Sequence, residues 1–583
     1  MKETIIILGA GVMQGPAIRI AKELGYYAIA LDGSSSAPYI HMADRFEQID
    51  LKDKEAIETF ARSLQSECVH LGIMTAGTDF SASVAWTAEK LGLPGIPYEA
   101  ALNASDKSRM RECFKKNGLP SPDFFTITED ILRSIPQNEI SPLARLSHSL
   151  LPAPRSLSFP LVIKPVDNMG SRGCRRVDSI EEFYKAAEVA IGFSRSGRVI
   201  VEAYMEGPEF SVDAIVYHGE ITICGLADRH IFFPPYFIEM GHTMPTQINT
   251  DKQEAILDTF RAGVRALGLA GKENIGAAKG DIKLTENGPM IGEIAARLSG
   301  GYMSGWTYPY SSGVQPVRAA ILAAMGRKPD CLIPEKTETC AERAFISIPG
   351  TVKAITGAEQ AKNLLYVNDF FLRITEGGKV SFPENNVTKC GNIIASAPDR
   401  ETAIKAAETA ARSILIKLDP ADQQTANFLS ICNLNKKSTD IETQSKITNS
   451  PETNKQVYSQ DFPPDAFQLT DELIETLNQL PDPPLPTPYS PFPTPHSPLP
   501  TAIITPFPTF TSSGLTDYMG RTVEEAIEAV RLLTGLPLPV SETICNSHEF
   551  AENKIILGRS FWVAFIRGSY QGAIYYIENL GVK

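Results

Sequence analysis

Lys164 stands at the end of the apolar run Leu161-Val-Ile, and Pro165 stops the strand just behind it. An ammonium there is a point charge for phosphate oxygens. Within ten residues the chain enters Asp167-Asn-Met-Gly-Ser-Arg-Gly173. Gly170 and Gly173 let backbone N–H groups around Ser171 approach a terminal phosphate closely, and Arg172 adds a second cation. A further apolar strand, Val199-Ile-Val, leads to Glu202. Read as a strand leaving a sheet edge, it offers backbone groups of Ala203, Tyr204 and Met205 to an adenine edge, with Glu202 accepting the exocyclic amine. Glu209, seven residues on, can accept both ribose hydroxyls. Two more carboxylates, Asp281 and Glu293, flank the turn Thr285-Glu-Asn-Gly288, whose composition predicts a hairpin. Antiparallel pairing sets them side by side, and adjacent carboxylates repel unless a cation joins them. Two acids together with phosphate oxygens suit Mg²⁺. Arg297, four residues past Glu293, can stabilise a transferring phosphoryl group or hold a substrate carboxylate.

These pieces need elements to hold them. Residues 4–100 alternate strands (Ile5–Leu8, Tyr27–Leu31, Val69–Met74) with helices (Pro16–Leu24, Glu55–Leu64, Ser81–Leu91), which predicts βαβ units and a parallel sheet. The turn Gly9-Ala-Gly-Val-Met-Gln-Gly15 with Asp32 resembles a dinucleotide fingerprint, but its spacing is G-x-G-x-x-x-G. A structural tight turn, or a cradle for another substrate, is the expectation. Asn103–Asn117 reads as one helix carrying Lys107, Arg109 and Arg111, ended by Asn117-Gly-Leu-Pro. Residues 134–158 are rich in Pro and Ser and read as a loop insertion. Composition shifts near Asn433; between Pro481 and Pro508 there are 12 prolines in 28 positions, which excludes helix or interior strand. The chain becomes globular again at 515–583, with a helix at Thr522–Leu533 and two expected buried strands, Phe561–Ile566 and Ala573–Ile577. A unit of that size is marginal alone and is expected to pack on the main body.

Composition bounds the function classes. At 583 residues the chain can hold several domains and a large core. A formal charge of −13 argues against a nucleic-acid footprint. Nine cysteines without a CxxC pair point to reduced thiols, and no run of 18 apolar residues predicts a membrane span. The start Met1-Lys-Glu-Thr-Ile-Ile-Ile-Leu reads as a first strand rather than a signal peptide, so a cytoplasmic protein is expected.

In order and spacing the site residues resemble the ATP-grasp superfamily, over about residues 3–430. The resemblance implies an α/β and α+β architecture: a Rossmann-like domain at 1–102, a two-subdomain ATP-grasp core at 103–330 and a small α+β subdomain at 331–432. A disordered polar and Pro-rich linker (433–514) and an α+β tail (515–583) would follow. The third piece, from Ala341-Glu-Arg through Asn385-Asn-Val to Gly391-Asn-Ile-Ile, is similar to the C-terminal subdomain of biotin carboxylases and carbamoyl-phosphate synthases. By resemblance, ATP binds Lys107, Lys164, Gly170, Ser171, Arg172, Gly173, Glu202, Ala203, Tyr204, Met205 and Glu209. Mg²⁺, or Mn²⁺ in its place, binds Asp281 and Glu293, and Arg297 and Lys164 are catalytic. Many members carry Glu-x-Asn-x-Arg; here Ala295 stands in the Asn position, which puts a second metal in doubt. Glu239-Met-Gly-His242-Thr-Met-Pro245 resembles the substrate region of amino-acid ligases, so His242 would face a substrate, with Thr78, Asp79, Arg229, Tyr302 and Trp306 as further liners. The implied activity is an ADP-forming ligase joining a small-molecule carboxylate to an amine, with no nucleic-acid or membrane partner and a homodimer by analogy. The alternatives are bicarbonate activation and a non-catalytic nucleotide-binding scaffold. Bicarbonate-dependent ATPase activity would favour the first, and ATP binding without ADP formation the second.

Overall fold

A computed structural model describes residues 2–134, 157–431, 465–481, 501–538 and 554–580. Most of the insertion expected at 134–158, and the densest part of the proline stretch, lie outside these residues.

The chain opens with strands β1 (Lys2–Leu8), β2 (Tyr27–Asp32), β3 (Arg45–Gln48) and β4 (Cys68–Thr75). They form a parallel sheet in the order β3-β2-β1-β4. Ile5, Ile6 and Ile7 are fully buried because helices cover both faces, which is why this strand reads as a continuous apolar run. β3 was not legible: Arg-Phe-Glu-Gln is short, polar and at the edge.

The helix expected over Asn103–Asn117 is two helices, Tyr98–Ser105 and Lys107–Lys116. Asp106 breaks it. Its backbone is extended, and its carboxylate accepts from the N–H groups of Ser108 and Arg109, a cap that starts a new helix.

Strands β5 (Phe124–Thr128), β6 (Leu161–Pro165), β7 (Arg175–Val177) and β8 (Arg198–Ala203) make a small antiparallel sheet in the order β5-β8-β6-β7. Helix Ile180–Phe193 covers one face, burying Phe183, Ala186, Ala187 and Ala190 against Ile163, Val199 and Val201.

Opposite lies a larger antiparallel sheet. Its strands are β9 (Glu209–Tyr217), β10 (Glu220–Phe232), β11 (Ile238–Met244), β12 (Ile275–Thr285), β13 (Gly288–Ala295) and β14 (Thr339–Phe345). After β15 (Gly350–Thr356) come β16 (Val367–Leu372), β17 (Lys379–Val380) and β18 (Gly391–Ala397), then β19 (Leu415–Leu418). The eight-stranded order is β13-β12-β9-β10-β11-β14-β18-β16, so one continuous sheet runs from the acidic hairpin into the third piece of the chain. β15, β17 and β19 form a separate three-stranded sheet.

The tail corrects two expectations. Phe561–Ile566 and Ala573–Ile577 are not strands; they belong to one helix, Arg559–Asn579, that kinks at Gly568 and Ser569. It is buried on nearly every side, so its apolar runs lack the one-sided period that marks a helix. Second, residues 465–481 and 501–514, assigned by composition to the linker, are folded. They hold helix Asp471–Gln479 and β20 (Thr501–Ile504), which pairs in parallel with β21 (Lys554–Leu557), and Phe467 before the helix, Leu477 on it, and Phe507 and Phe510 after β20 join a core around Trp562. The tail helix also reaches the preceding subdomain. Gln571 donates to the Ser347 hydroxyl at 2.8 Å and the Ile416 carbonyl at 3.0 Å, and accepts from Ile348 N–H at 3.2 Å. Among the described residues no helix is long and apolar enough to cross a membrane.

Candidate active site

The two antiparallel sheets face each other across a cavity of about 400 Å³. Lys164 projects into it from the end of β6, its Nζ 2.7 Å from Glu202 Oε2. Arg111, fully buried, sets Nε 2.8 Å from the other Glu202 oxygen without hydrogen-bond alignment. Burial alone would raise the Glu202 pKa; Arg111 and Lys164 outweigh it and hold the carboxyl below its ordinary range. Glu202 is thus engaged in two ion pairs rather than left open to an exocyclic amine, and β8 lies inside its sheet, not at its edge. Ala203 N–H donates to Asp123 O at 3.0 Å and Tyr204 N–H to Pro160 O at 3.2 Å, so these two donors are also in use. Met205 O accepts from Lys283 Nζ at 3.0 Å. The Tyr204 ring stacks with Phe237 (centroids 6.1 Å apart), and the Arg176 guanidinium sits 4.6 Å from its centre. This is a flat wall able to take a planar base.

The glycine loop follows Lys164 closely. Gly170, Ser171 and Gly173 all have left-handed backbones, with φ of +67°, +60° and +72°. Asn386 N–H donates to Gly170 O at 3.0 Å, tying the loop to the third piece of the chain. Arg172 donates to Met169 O at 3.1 Å, and burial with nearby Arg195 lowers its pKa. Gly170, Ser171 and Arg172 line the cavity; Gly173 lies behind them, where a Cβ would come within 3.1 Å of Phe193 Cβ. Lys107 Nζ donates to Asn168 O at 2.8 Å and lies 3.7 Å from Glu293.

At the far wall, Asp281 and Glu293 are opposite each other in the β12–β13 register, and Thr285 pairs with Gly288 to close the hairpin. Ser211 Oγ donates to Asp281 at 2.8 Å; Lys279 bonds the same carboxylate, and Arg229 Nη1 lies 3.3 Å away. Burial raises the Glu293 pKa, but Lys107, Lys279, Lys164 and Arg297 more than offset it and hold the carboxyl at about 2. For Asp281, burial is likewise outweighed by Arg229 and Lys279. Both are charged at neutral pH. Among the described residues no group of three or more His, Cys, Asp or Glu side chains comes together as a metal cage, and Ala295 adds no oxygen. Two ionised carboxylates fit a Mg²⁺ that draws its other ligands from phosphates and water. Arg297 donates to Leu298 O at 3.1 Å, while its buried Nε has no partner.

Other expected residues are less open than anticipated. Arg229 is held by Glu209 and by Glu239 at 2.8 Å, so Glu209 is already paired. His242 is buried, its Nδ1 3.0 Å from Glu342 Oε2 and its Nε2 3.7 Å from Glu239. Gly77 lines the cavity, but Thr78 and Asp79 do not; Asp79 sits behind, its pKa raised by burial against Arg297 and Lys107. Tyr302 and Trp306 pack with Phe371 beside the cavity, and Arg373, which does line it, donates to the Tyr302 hydroxyl at 3.0 Å. Asp32 serves its own turn, accepting from Ala10 N–H and Ser34 N–H at 2.9 Å each, and Met13 of the glycine turn lines the cavity. Lys279 and Lys283 were overlooked, although they alternate with Asp281 along β12 and so share its face. Arg373 and Lys389 also line the cavity, from a segment with no local signal.

Residues 157–305 match the family described as ATP-grasp domain, and residues 344–419 match L-amino acid ligase C-terminal domain 2. The chain carries an ATP-grasp domain. An uncharacterised protein of Sinorhizobium fredii is 24% identical over 355 residues, 60% of this chain and 68% of that protein. Carnosine synthase 1 of Gallus gallus is 23% identical over 417 residues, 67% of this chain but only 43% of that enzyme. The crystal structure of an L-amino acid ligase from Bacillus licheniformis superposes with a TM-score of 0.59 at 21% identity, covering 72% of this chain and all of that one. At that identity the likeness establishes the fold alone. The third piece, expected to resemble the C-terminal subdomain of biotin carboxylases, matches an amino-acid ligase domain, and a biotin carboxylase from Campylobacter jejuni also superposes on the chain, with a TM-score of 0.53 at 18% identity over 72% of this chain and 92% of that one.

Proposed function

We propose that this ATP-grasp protein is an ATP-dependent ligase that activates a small-molecule carboxylate as an acyl phosphate and transfers the acyl group to an amine. The observation that carries this reading is the convergence of Lys107, Lys164, Arg172 and Arg297 with the ionised pair Asp281 and Glu293 on one cavity. A substrate carboxylate oxygen attacks the γ-phosphorus and the bond to the bridging oxygen of ADP breaks. The amine nitrogen then attacks the acyl carbon, phosphate leaves with its electron pair, and the nitrogen loses a proton. Phosphoryl transfer needs positioning and charge neutralisation more than covalent help. Lys107 and Lys164 hold the phosphates, the loop at Gly170–Arg172 folds over them, and the base lies against Tyr204. Arg297, with its unpartnered Nε, binds the oxygens of the group in transit. Mg²⁺ held by Asp281 and Glu293 would neutralise phosphate charge and fix its geometry.

The match of residues 344–419 to an L-amino acid ligase domain favours an amino acid as one substrate. The test is ADP release across a panel of amino acids and small carboxylates, each with and without amines. ADP formed only when an acid and an amine are both present supports the reading. Release driven by bicarbonate alone replaces the acid, and tight ATP binding with no ADP across the panel removes the catalytic role.

A further inference from the structure

Helix Lys107–Lys116 touches both walls of the cavity. Its start is tied to the small sheet: Lys107 N–H donates to Val166 O at 2.9 Å, and Asp106 pairs with Arg198. One turn on, Arg111 is fully buried and reaches two elements at once. Nε lies against Glu202 on β8, the carboxylate that holds Lys164, and Nη2 donates to Gly292 O at 2.6 Å, the residue before Glu293 on β13. Met110 adds a second link to that strand, its sulfur accepting Ile294 N–H at 3.4 Å. A planar fork with donors on several edges suits this span; an ammonium does not.

We propose that Arg111 is a positioning residue that registers the phosphate-binding wall against the acidic wall, setting Lys164 through Glu202 and Glu293 through Gly292. This deepens the ligase reading and rests on it. A merely structural ion pair would stabilise the fold without affecting nucleotide affinity, because breaking a buried pair is costly wherever it lies. If Arg111 sets the register, a folded protein without the fork binds ATP poorly.

The experiment compares wild type, Arg111→Lys and Glu202→Gln by calorimetric titration with ATP, once with Mg²⁺ and once in EDTA, alongside thermal unfolding. Expected is a loss of at least tenfold in ATP affinity under both conditions, in variants that unfold cooperatively above the titration temperature. A folded Arg111→Lys protein with unchanged affinity, even with a lowered unfolding midpoint, overturns the proposal. Should Arg111→Lys fail to fold, Glu202→Gln carries the test, and unchanged affinity there overturns it equally. Wild type that does not bind ATP sinks the ligase reading itself, an outcome distinct from equal binding by wild type and variant.

Discussion

Replacing Lys164 with Met removes one ammonium and little volume. In the folded protein that ammonium stands 2.7 Å from Glu202 Oε2. Its loss removes one charge-assisted hydrogen bond, worth about 1.5–3 kcal/mol. Glu202 keeps Arg111 beside its other oxygen, so no unpaired charge is left behind. Against a typical total of about 5–15 kcal/mol, the variant stays folded. The functional loss is larger in consequence. At the same distance from a phosphate oxygen, unit charges attract by about 6 kcal/mol at an effective dielectric of about 20. Withdrawing Lys164 from Glu202 offsets part of this. The remainder is comparable to the loss of one preorganised donor, about 3–4 kcal/mol, or about 10²–10³ in turnover. Urea unfolding and coupled ADP release on the same preparation measure both. A folded Lys164→Met protein turning over within threefold of wild type refutes the placement of phosphate at Lys164.

Glu293→Gln should abolish the gain in ATP affinity produced by Mg²⁺, at least tenfold, while binding in EDTA is unchanged or tighter; titrations with and without the metal report it, and a retained Mg²⁺ effect counts against Glu293. Asp213, fully buried under Ser299, has its carboxyl raised by burial from 3.8 to about 6. A raised acid binds its proton more tightly when folded, so its stabilising contribution is present below pH 3.8 and is lost as pH rises through about 6. Relative to Asp213→Asn, wild type should lose about 2.5 kcal/mol between pH 4 and 7.5 in urea midpoints; a pH-independent difference refutes this. Trp562→Ala should cost about 3–5 kcal/mol of stability by opening a cavity in the tail core, with ATP affinity unaffected; weakened ATP binding would show that the tail reaches the site.

Residues whose geometry is local were legible in the sequence. The acidic pair could be aligned because Thr285-Glu-Asn-Gly is a hairpin signal and a strand alternates its side chains, and that same alternation marked Lys279 and Lys283 for anyone who followed it. The glycine loop announced its left-handed turns. Long-range pairing was not legible. Glu202 looks like an open carboxylate until Arg111, ninety-one positions earlier, is brought against it by helix Lys107–Lys116 packing on its strand. The tail misled for a different reason. Gly568 looks like a turn between two apolar runs, and a break does occur there, but as a kink within a helix rather than between strands. Burial all round erased the periodicity that separates the two.

The most direct measurement follows the oxygen. With the acid and amine identified by ADP release, the acid is supplied with ¹⁸O in its carboxylate and the released phosphate is weighed. An acyl phosphate transfers one carboxylate oxygen to phosphorus, so one ¹⁸O per phosphate is expected. Phosphate carrying none would mean that the carboxylate never attacked ATP, and would contradict a ligase built on Lys107, Lys164 and Arg297.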